Sequence, residues 1–244
     1  MNLLKRLDEY DFRARFVPAF IVSLPVICGF LAVFPPAREM RGAILGPTLE
    51  TVMVLLLVRV ARDEGKRIEP AIVTAWDGLP TTRFLRHRNR EIEPATRERY
   101  KRTLSRIAGM GFPTQSEEAA DPTVADSTYL SAVDALRERR RTKSYALVFK
   151  ENCNYGMVRN LLGLRATGIV STCLSAIAVI GGLSLFPATT SREWAALAFA
   201  TCLLVVVVLF RWATQPVLKR TADAYAKALL RTCEPRPITK PGAI

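Results

Sequence analysis

One acidic residue stands inside an apolar run where a charge is costly. Glu50 interrupts residues 43–58, which are otherwise without a charge. An ionisable group at mid-bilayer costs about 2.5 kcal/mol or more, so Glu50 is expected to face protein or water. In a symmetric oligomer its copies would ring a wet, cation-favouring pore. The other predicted pore residues are Gly46, Met53, Val54 and Leu57. The alternatives are a protonated Glu50 bonded to a neighbouring helix, and a transport or proton-relay role.

Basic residues cluster between residues 59 and 165. This segment holds 21 basic and 14 acidic residues, for a net charge of +7. The planar guanidinium of Arg suits phosphate better than the Lys ammonium does. Two partners fit: anionic lipids of the inner leaflet, or a nucleotide or single-stranded oligonucleotide. A solvated helix face with positive-inside bias is the third interpretation. The predicted ligand-binding residues are Arg83, Arg86, Arg88, Lys101, Arg102, Arg139, Arg140, Arg141 and Lys143.

A third candidate lies just before a later apolar run. Asn152, Tyr155 and Arg159 recur at helical spacing and share a face, with Asn160 beside it. Polar groups of fixed geometry at a membrane mouth favour a gate, or an element that couples a ligand domain to a pore. The alternative is a helix end that is hydrogen-bonded into the neighbouring domain.

Catalytic and metal-binding patterns are missing from the sequence. It has no phosphate-binding Gly loop, no Gly-x-Ser-x-Gly motif and no paired acidic metal motif. A single His and no cysteine pair at metal spacing argue against a zinc site. The five cysteines are expected to be reduced. We therefore predict a protein that is not an enzyme and that needs neither cofactor nor metal.

Four apolar runs are candidate membrane spans. They cover residues 16–34, 43–58, 166–186 and 194–209, and about 20 apolar residues are needed to cross a bilayer as a helix. Short connections with a proline, at residues 35–42 and 187–193, make each pair a helical hairpin. Residues 16–58 and 166–212 thus form two transmembrane hairpins.

Charge predicts the orientation of these hairpins. The short turns hold only Arg38, Arg41 and Arg192 of the 35 basic residues. The positive-inside rule therefore places the other three regions in the cytoplasm. These are an N-terminal arm (1–15), a mostly helical basic domain (59–165) and a C-terminal tail (213–244). The arm reads either as an amphipathic helix on the inner leaflet or as a polar lead-in.

These features together predict an all-α, multi-pass membrane protein with both termini cytoplasmic. Two hairpins flank the basic domain, and the subunits form a symmetric oligomer. The helix of the second span is expected to continue past Val60, and Asp121 is expected to cap a helix whose first residue is Pro122. That helix should bury Tyr129, Ala132, Val133 and Leu136.

The stretch Glu151-Asn152-x-x-Tyr155-Gly156-x-x-Arg159-Asn160 leads into the third span. In layout and in this stretch, the chain resembles small bacterial membrane proteins encoded beside nucleotidyltransferases in anti-phage operons. The nearest likeness is to the membrane effectors of the Hailong defence system, and four-helix effectors of cyclic-oligonucleotide systems are a broader alternative. The resemblance implies a homotetrameric ion channel, controlled by a nucleotide polymer that a cognate nucleotidyltransferase makes. Its opening would depolarise the membrane and arrest growth.

Three functions remain open from the sequence. The first is an oligomeric channel effector gated by a nucleotide or oligonucleotide. The second is a small transporter. The third is an inner-membrane scaffold that binds anionic lipids and a soluble partner.

Overall fold

The computed structural model describes residues 9–37, 42–140 and 145–234; at residues 37, 42–46, 49 and 50 it describes the backbone alone. Every regular element in this described part is helical, which confirms the all-α prediction. A π-helical turn, Phe12–Phe16, joins the first two helices. The helices are α1 (Glu9–Asp11), α2 (Val17–Val33), α3 (Gly42–Ala75), α4 (Pro80–Leu85), α5 (Pro94–Ala108), α6 (Gln115–Ala120), α7 (Pro122–Arg140), α8 (Ala146–Gly163), α9 (Arg165–Leu185), α10 (Arg192–Arg211) and α11 (Gln215–Arg231).

Three helices in the described part are long and apolar enough to cross a membrane. They are Glu9–Val33, Arg165–Leu185 and Arg192–Arg211. The sequence predicted spans at all three places. The second predicted span, residues 43–58, lies in α3, where several side chains are outside the described residues.

These three helices pack mainly on one another. α2 contacts both α9 and α10, which also contact each other. Small residues allow the close approach: a Cβ on Gly29 of α2 would sit 2.4 Å from Ser175 Oγ of α9. That hydroxyl donates to Pro25 O at 2.5 Å. The main packing of the first span is thus with the third and fourth predicted spans, rather than with the run that follows it in the chain.

The helix α3 is 34 residues long and continues past Val60 to Ala75, as expected. Its face with Ala61 and Leu57 packs into a cluster with Val22 of α2 and Leu164. Its opposite face exposes aliphatic side chains. They are Val52, Leu55, Leu56 and Val60.

The chain divides into two compact units. The first comprises Met1–Pro70 and Cys153–Lys219, and the second Ala71–Asn152 and Arg220–Ile244. The boundaries fall within α3, α8 and α11.

The core of the second unit joins the middle of the chain to its C-terminal part. Tyr129, Ala132, Val133 and Leu136 of α7 are all fully buried, as predicted. They cluster with Phe84 and Leu85 of α4, Leu104 of α5, and Leu229 and Leu230 of α11. The helical part of the predicted C-terminal tail (213–244) therefore contributes to this core. α11 repeats small and aliphatic residues at helical spacing (Leu218, Ala222, Ala226, Leu229), and these are buried.

Local turn chemistry sets the ends of these helices. Asp77 and Gly78 adopt positive φ angles of 61° and 104°, which end α3, and a glycine tolerates that conformation without strain. The Asp121 side chain accepts from Thr123 N and Val124 N at 3.1 and 3.0 Å. This confirms the predicted cap of α7.

Candidate coupling junction and cationic domain

The predicted gate residues Tyr155 and Arg159 meet on one carboxylate of α3. The Tyr155 hydroxyl and the Arg159 guanidinium each donate to Glu69, the second at 2.9 Å. Arg159 is mostly buried and Glu69 is partly buried. Sequence reasoning missed Glu69 because it lies beyond the predicted span, although it stands one helical turn after the buried Gly65.

Burial and the Glu69 charge raise the pKa of Tyr155 above its ordinary value. Tyr155 is therefore protonated at neutral pH and can only donate to Glu69. The Arg159 guanidinium also lies 5.7 Å from the centre of the Tyr155 ring, a cation–π distance. The carboxylate thus holds two donors of α8 in a fixed arrangement.

Asn160, one residue further along α8, bonds to the N-terminal helix. Its Nδ2 donates to Ala14 O at 2.7 Å, and the side chain is fully buried. In an α-helix that carbonyl would accept from residue 18, which is Pro18 and has no N–H. The Asn160 amide therefore takes the place of the N–H that Pro18 cannot donate to Ala14 O. The π-helical turn Phe12–Phe16 includes Ala14.

Glycines bring α3 and the N-terminal helix against α8. A Cβ on Gly163 would sit 2.5 Å from Gly65 N, and a Cβ on Gly156 would sit 2.7 Å from Tyr10 Oη. Glu69, Tyr155, Arg159 and Asn160, with these glycines, form what we term the coupling junction. It lies within the first unit.

The remaining predicted gate and pore residues lie elsewhere. Asn152 belongs to the second unit and makes no side-chain hydrogen bond with the described residues. Val54 is 2% exposed and Leu57 packs on the hydrophobic cluster with Val22 and Leu164, so both face the interior of the chain, while Met53 is half-buried. Gly46 and Glu50 lie in α3, but their side chains are outside the described residues.

Several predicted ligand-binding arginines are occupied by carboxylates. Arg83 pairs with Asp223 at 2.9 Å. Arg86 forms a two-pronged contact with Asp126 and also bonds Asp77 at 2.6 Å. Arg88, which is much more exposed, shares Asp77 at 3.0 Å. These pairs stabilise the second unit and reduce its free positive charge.

Lys101 is buried in a polar network and not displayed at the surface. Its Nζ lies 2.7 Å from His87 Nε2, which is also 3.0 Å from Pro113 O. Nε2 can accept from the ammonium only when the ring proton is on Nδ1. Burial lowers the pKa of Lys101, although Glu98 and Glu118 counteract it.

The other predicted cationic residues differ in their surroundings. Arg140 contacts the Tyr145 hydroxyl and ring and lies 3.4 Å from Thr232 O. Arg102 and Arg139 are exposed. Arg141 and Lys143 lie outside the described residues.

Glu118 completes the buried network beside His87. Its carboxylate accepts from Tyr129 Oη at 2.6 Å and from His87 N at 2.9 and 3.0 Å. Burial by itself would raise the pKa of Glu118, but the hydrogen bonds from Tyr129 and His87 N, with attraction from Lys101, lower it below its ordinary value. Arg86, His87, Glu118 and Asp126 also line a small cavity of about 240 Å³.

The lowered pKa of Glu118 predicts acid sensitivity. A carboxyl group whose folded-state pKa is depressed stabilises the fold above its unfolded pKa, and this stability is lost as pH falls through the folded pKa. We expect Glu118→Gln to cost about 1.5–3 kcal/mol at pH 7 and to flatten the loss of stability below pH 4.5. Scanning fluorimetry of the solubilised chain at pH 7 and in acid measures both effects. The exposed Glu93→Gln is the control, and equal midpoints for the two variants at pH 7 would contradict the prediction.

Comparison with known proteins identifies no relative. No protein-family model matches the chain, and no curated protein and no solved structure matches it.

Proposed function

We propose that this chain is the subunit of an oligomeric ion channel of the bacterial inner membrane, controlled by a nucleotide or oligonucleotide ligand on the second unit. In this proposal α3 supplies a fourth span and Glu50 contributes negative charge to the pore. The termini lie in the cytoplasm, and the cognate ligand-producing enzyme is a nucleotidyltransferase. Anti-phage defence through membrane depolarisation and growth arrest is the corresponding biological role.

The observation that supports this proposal best is the coupling junction. Glu69 lies on the same continuous helix as Glu50, and it is bonded to two side chains of α8. α8 leads into the membrane-length helix α9 with a break only at Leu164. A shift of α8 would therefore be transmitted to α3 through a buried ion pair, which is the arrangement that a gated pore requires.

The exposed face of α3 supports the oligomeric part of the proposal. Val52, Leu55 and Leu56 are each more than half exposed within one subunit. Val54 and Leu57, on the opposite side, are turned into the subunit. By helical spacing Gly46, Glu50 and Met53 belong to the same face of α3 as Val54 and Leu57. We therefore propose that this face lines the pore on the N-terminal side of Val54, and that Val54 and Leu57 pack within the subunit and do not line it.

Reconstitution into planar bilayers tests the proposal. We expect cation-selective currents that change when DNA or RNA oligonucleotides are added on the cytoplasmic side. Glu50→Gln should reduce cation selectivity, seen as a shift of the reversal potential in a salt gradient. Glu193→Gln, which removes a charge in a predicted hairpin turn, is the matched control. Glu69→Gln should weaken the dependence of the current on ligand while oligonucleotide affinity is unchanged.

Three results would contradict the proposal. Absence of current in every ligand state would favour the scaffold. Solute uptake without channel currents would favour the transporter. Equal shifts for Glu50→Gln and Glu193→Gln would remove Glu50 from the pore.

A further inference from the structure

Ion pairing divides the arginines of the second unit into two groups. Arg83, Arg86, Arg88, Arg99 and Arg137 each lie within 3.3 Å of a carboxylate oxygen. Six exposed arginines of this unit have no carboxylate within 4.0 Å in the described part of the chain: Arg90, Arg102, Arg106, Arg139, Arg220 and Arg231. Their charges are therefore available to a ligand.

Three of these arginines, Arg102, Arg106 and Arg139, share one place in the fold. Arg102 and Arg106 are four residues apart on the exposed side of α5, so they are neighbours on the helix surface. The Arg106 Nε lies 3.5 Å from Arg102 O. Arg139 reaches across from α7 and donates to Ile107 O, at the end of α5, at 3.1 Å. We call Arg102, Arg106 and Arg139 the cationic strip.

We infer that the cationic strip binds consecutive phosphates of a single-stranded oligonucleotide. The inference deepens the proposed function, because it locates the ligand on particular residues of the second unit. A guanidinium has five N–H donors. Arg139 donates one of its five N–H groups to Ile107 O, and the other four remain for a ligand. This hydrogen bond also holds the Arg139 side chain beside α5. The strip therefore offers phosphate a partly preorganised set of forked donors.

The surroundings of the strip favour a soluble polyanion over a membrane surface. Helices that lie on membranes place aliphatic or aromatic side chains beside their cations. α5 exposes none: the large hydrophobic residues exposed in the described part of the second unit are Val124, Leu130 and Leu147, all on other helices. The strip thus has charge but nothing to insert into lipid.

The same surroundings predict whether the protein contacts the bases or the phosphates of the oligonucleotide. Base recognition in single strands relies on exposed aromatic side chains for stacking. The aromatic residue of α5, Tyr100, is buried in the core. Contacts should therefore be made to phosphates, with little preference for base sequence and with a strong dependence on salt.

Salt titration of binding tests this inference. The solubilised full chain is titrated into fluorescently labelled oligothymidine, and anisotropy gives the binding constant at several salt concentrations. The variant is Arg102→Gln/Arg106→Gln. The control is Arg67→Gln/Arg137→Gln, which removes the same net charge from two arginines that are already paired, with Glu64 and Asp134; the two arginine side chains are 74% and 40% exposed.

Both the salt dependence and the affinity of oligonucleotide binding should fall by a definite amount in the Arg102→Gln/Arg106→Gln variant. Each phosphate contact on a single strand contributes about 0.7 to the slope of log K against log salt. Loss of two contacts should lower the slope by about 1.4, and the affinity by roughly 25-fold at about 0.1 M salt. The control should keep the wild-type slope. An oligonucleotide of mixed sequence should bind as tightly as oligothymidine.

Several outcomes would overturn the inference. Equal losses in variant and control would mean that net charge, and not the strip, determines binding. Absence of oligonucleotide binding by the wild type would exclude the ligand class. Strip-dependent binding to phosphatidylglycerol vesicles, without oligonucleotide binding, would assign the strip to the membrane. The channel proposal can fail independently of this inference. If oligonucleotide binding depends on the cationic strip but the protein never conducts ions, the inference holds and the channel proposal is wrong.

Discussion

Gly163→Ala should destabilise the first unit by about 1–3 kcal/mol, the usual cost of an overpacked site. The new Cβ would sit 2.5 Å from the backbone nitrogen of Gly65 and 2.9 Å from the carbonyl carbon of Glu64. Backbone atoms cannot rotate away as a side-chain end can, so α3 and α8 must separate. That separation also strains the Glu69 contacts with Tyr155 and Arg159, one to two turns away on the two helices.

Two other glycine-to-alanine substitutions show how large the loss of stability at Gly163 should be by comparison. Gly181→Ala in α9 meets nothing within 4 Å, and alanine favours a helix by about 0.8–1 kcal/mol over glycine, so no loss is expected. Gly65→Ala should be intermediate, because its nearest obstacle, at 2.6 Å, is a side-chain atom, Asn160 Oδ1. Thermal midpoints of the solubilised variants measure the order. A Gly163→Ala midpoint equal to that of Gly181→Ala would show that the two helices do not meet at Gly163.

Much of the fold follows from local pattern. Apolar length locates the three described helices that can cross a membrane. Helical period identifies the buried face of α7, from Tyr129 to Leu136, because one face of a surface helix must be apolar when it packs on a core. Cap chemistry places the start of α7 at Pro122, since the Asp121 carboxylate satisfies two N–H groups that the helix leaves unpaired.

The sequence did not reveal what joins distant parts of the chain. The sequence predicts a tail at α11 because the charges of this helix conceal a helical period of small and aliphatic residues, which includes Leu218, Ala222 and Ala226. A core position filled by alanine carries a weak hydrophobic signal. What makes α11 a core helix is its partners on α5 and α7, which local pattern does not specify.

The candidate site, like the fold, was predictable from the sequence only in part. The shared face of Tyr155 and Arg159 was predictable from their spacing, and the structure brings both to Glu69. Their acceptor was not predictable, because it depends on which turn of α3 lies opposite. For the cationic residues, the sequence does not show which charges are matched by carboxylates. Asp223 lies 140 residues from Arg83 in the chain, yet its carboxylate pairs with that guanidinium.

The ion pair of Arg86 with Asp126 predicts that Arg86 contributes to stability and not to oligonucleotide binding. Arg86→Ala should destabilise the second unit by about 3 kcal/mol. Removing one partner of a buried ion pair costs about 3–5 kcal/mol, and the lower end applies because Asp126 keeps 32% of its side chain exposed while Arg86 keeps 5%. The hydrogen bond with Asp126 raises the pKa of Arg86 against the effect of burial, so the guanidinium is charged throughout.

Arg88→Ala is the matched control, because Arg88 bonds the same Asp77 but is 58% exposed. Exposed pairs contribute about 0–1 kcal/mol, so its midpoint should stay near the wild type. If both arginines bound ligand, as their clustering suggests, the two variants would lose oligonucleotide affinity alike. We expect neither to change the slope of binding against salt, since their charges are already matched by Asp77 and Asp126. A reduced slope in Arg88→Ala would extend the ligand surface beyond the cationic strip. A reduced slope in folded Arg86→Lys, which keeps the charge but not the two-pronged contact, would show that ligand competes for the Asp126 pair.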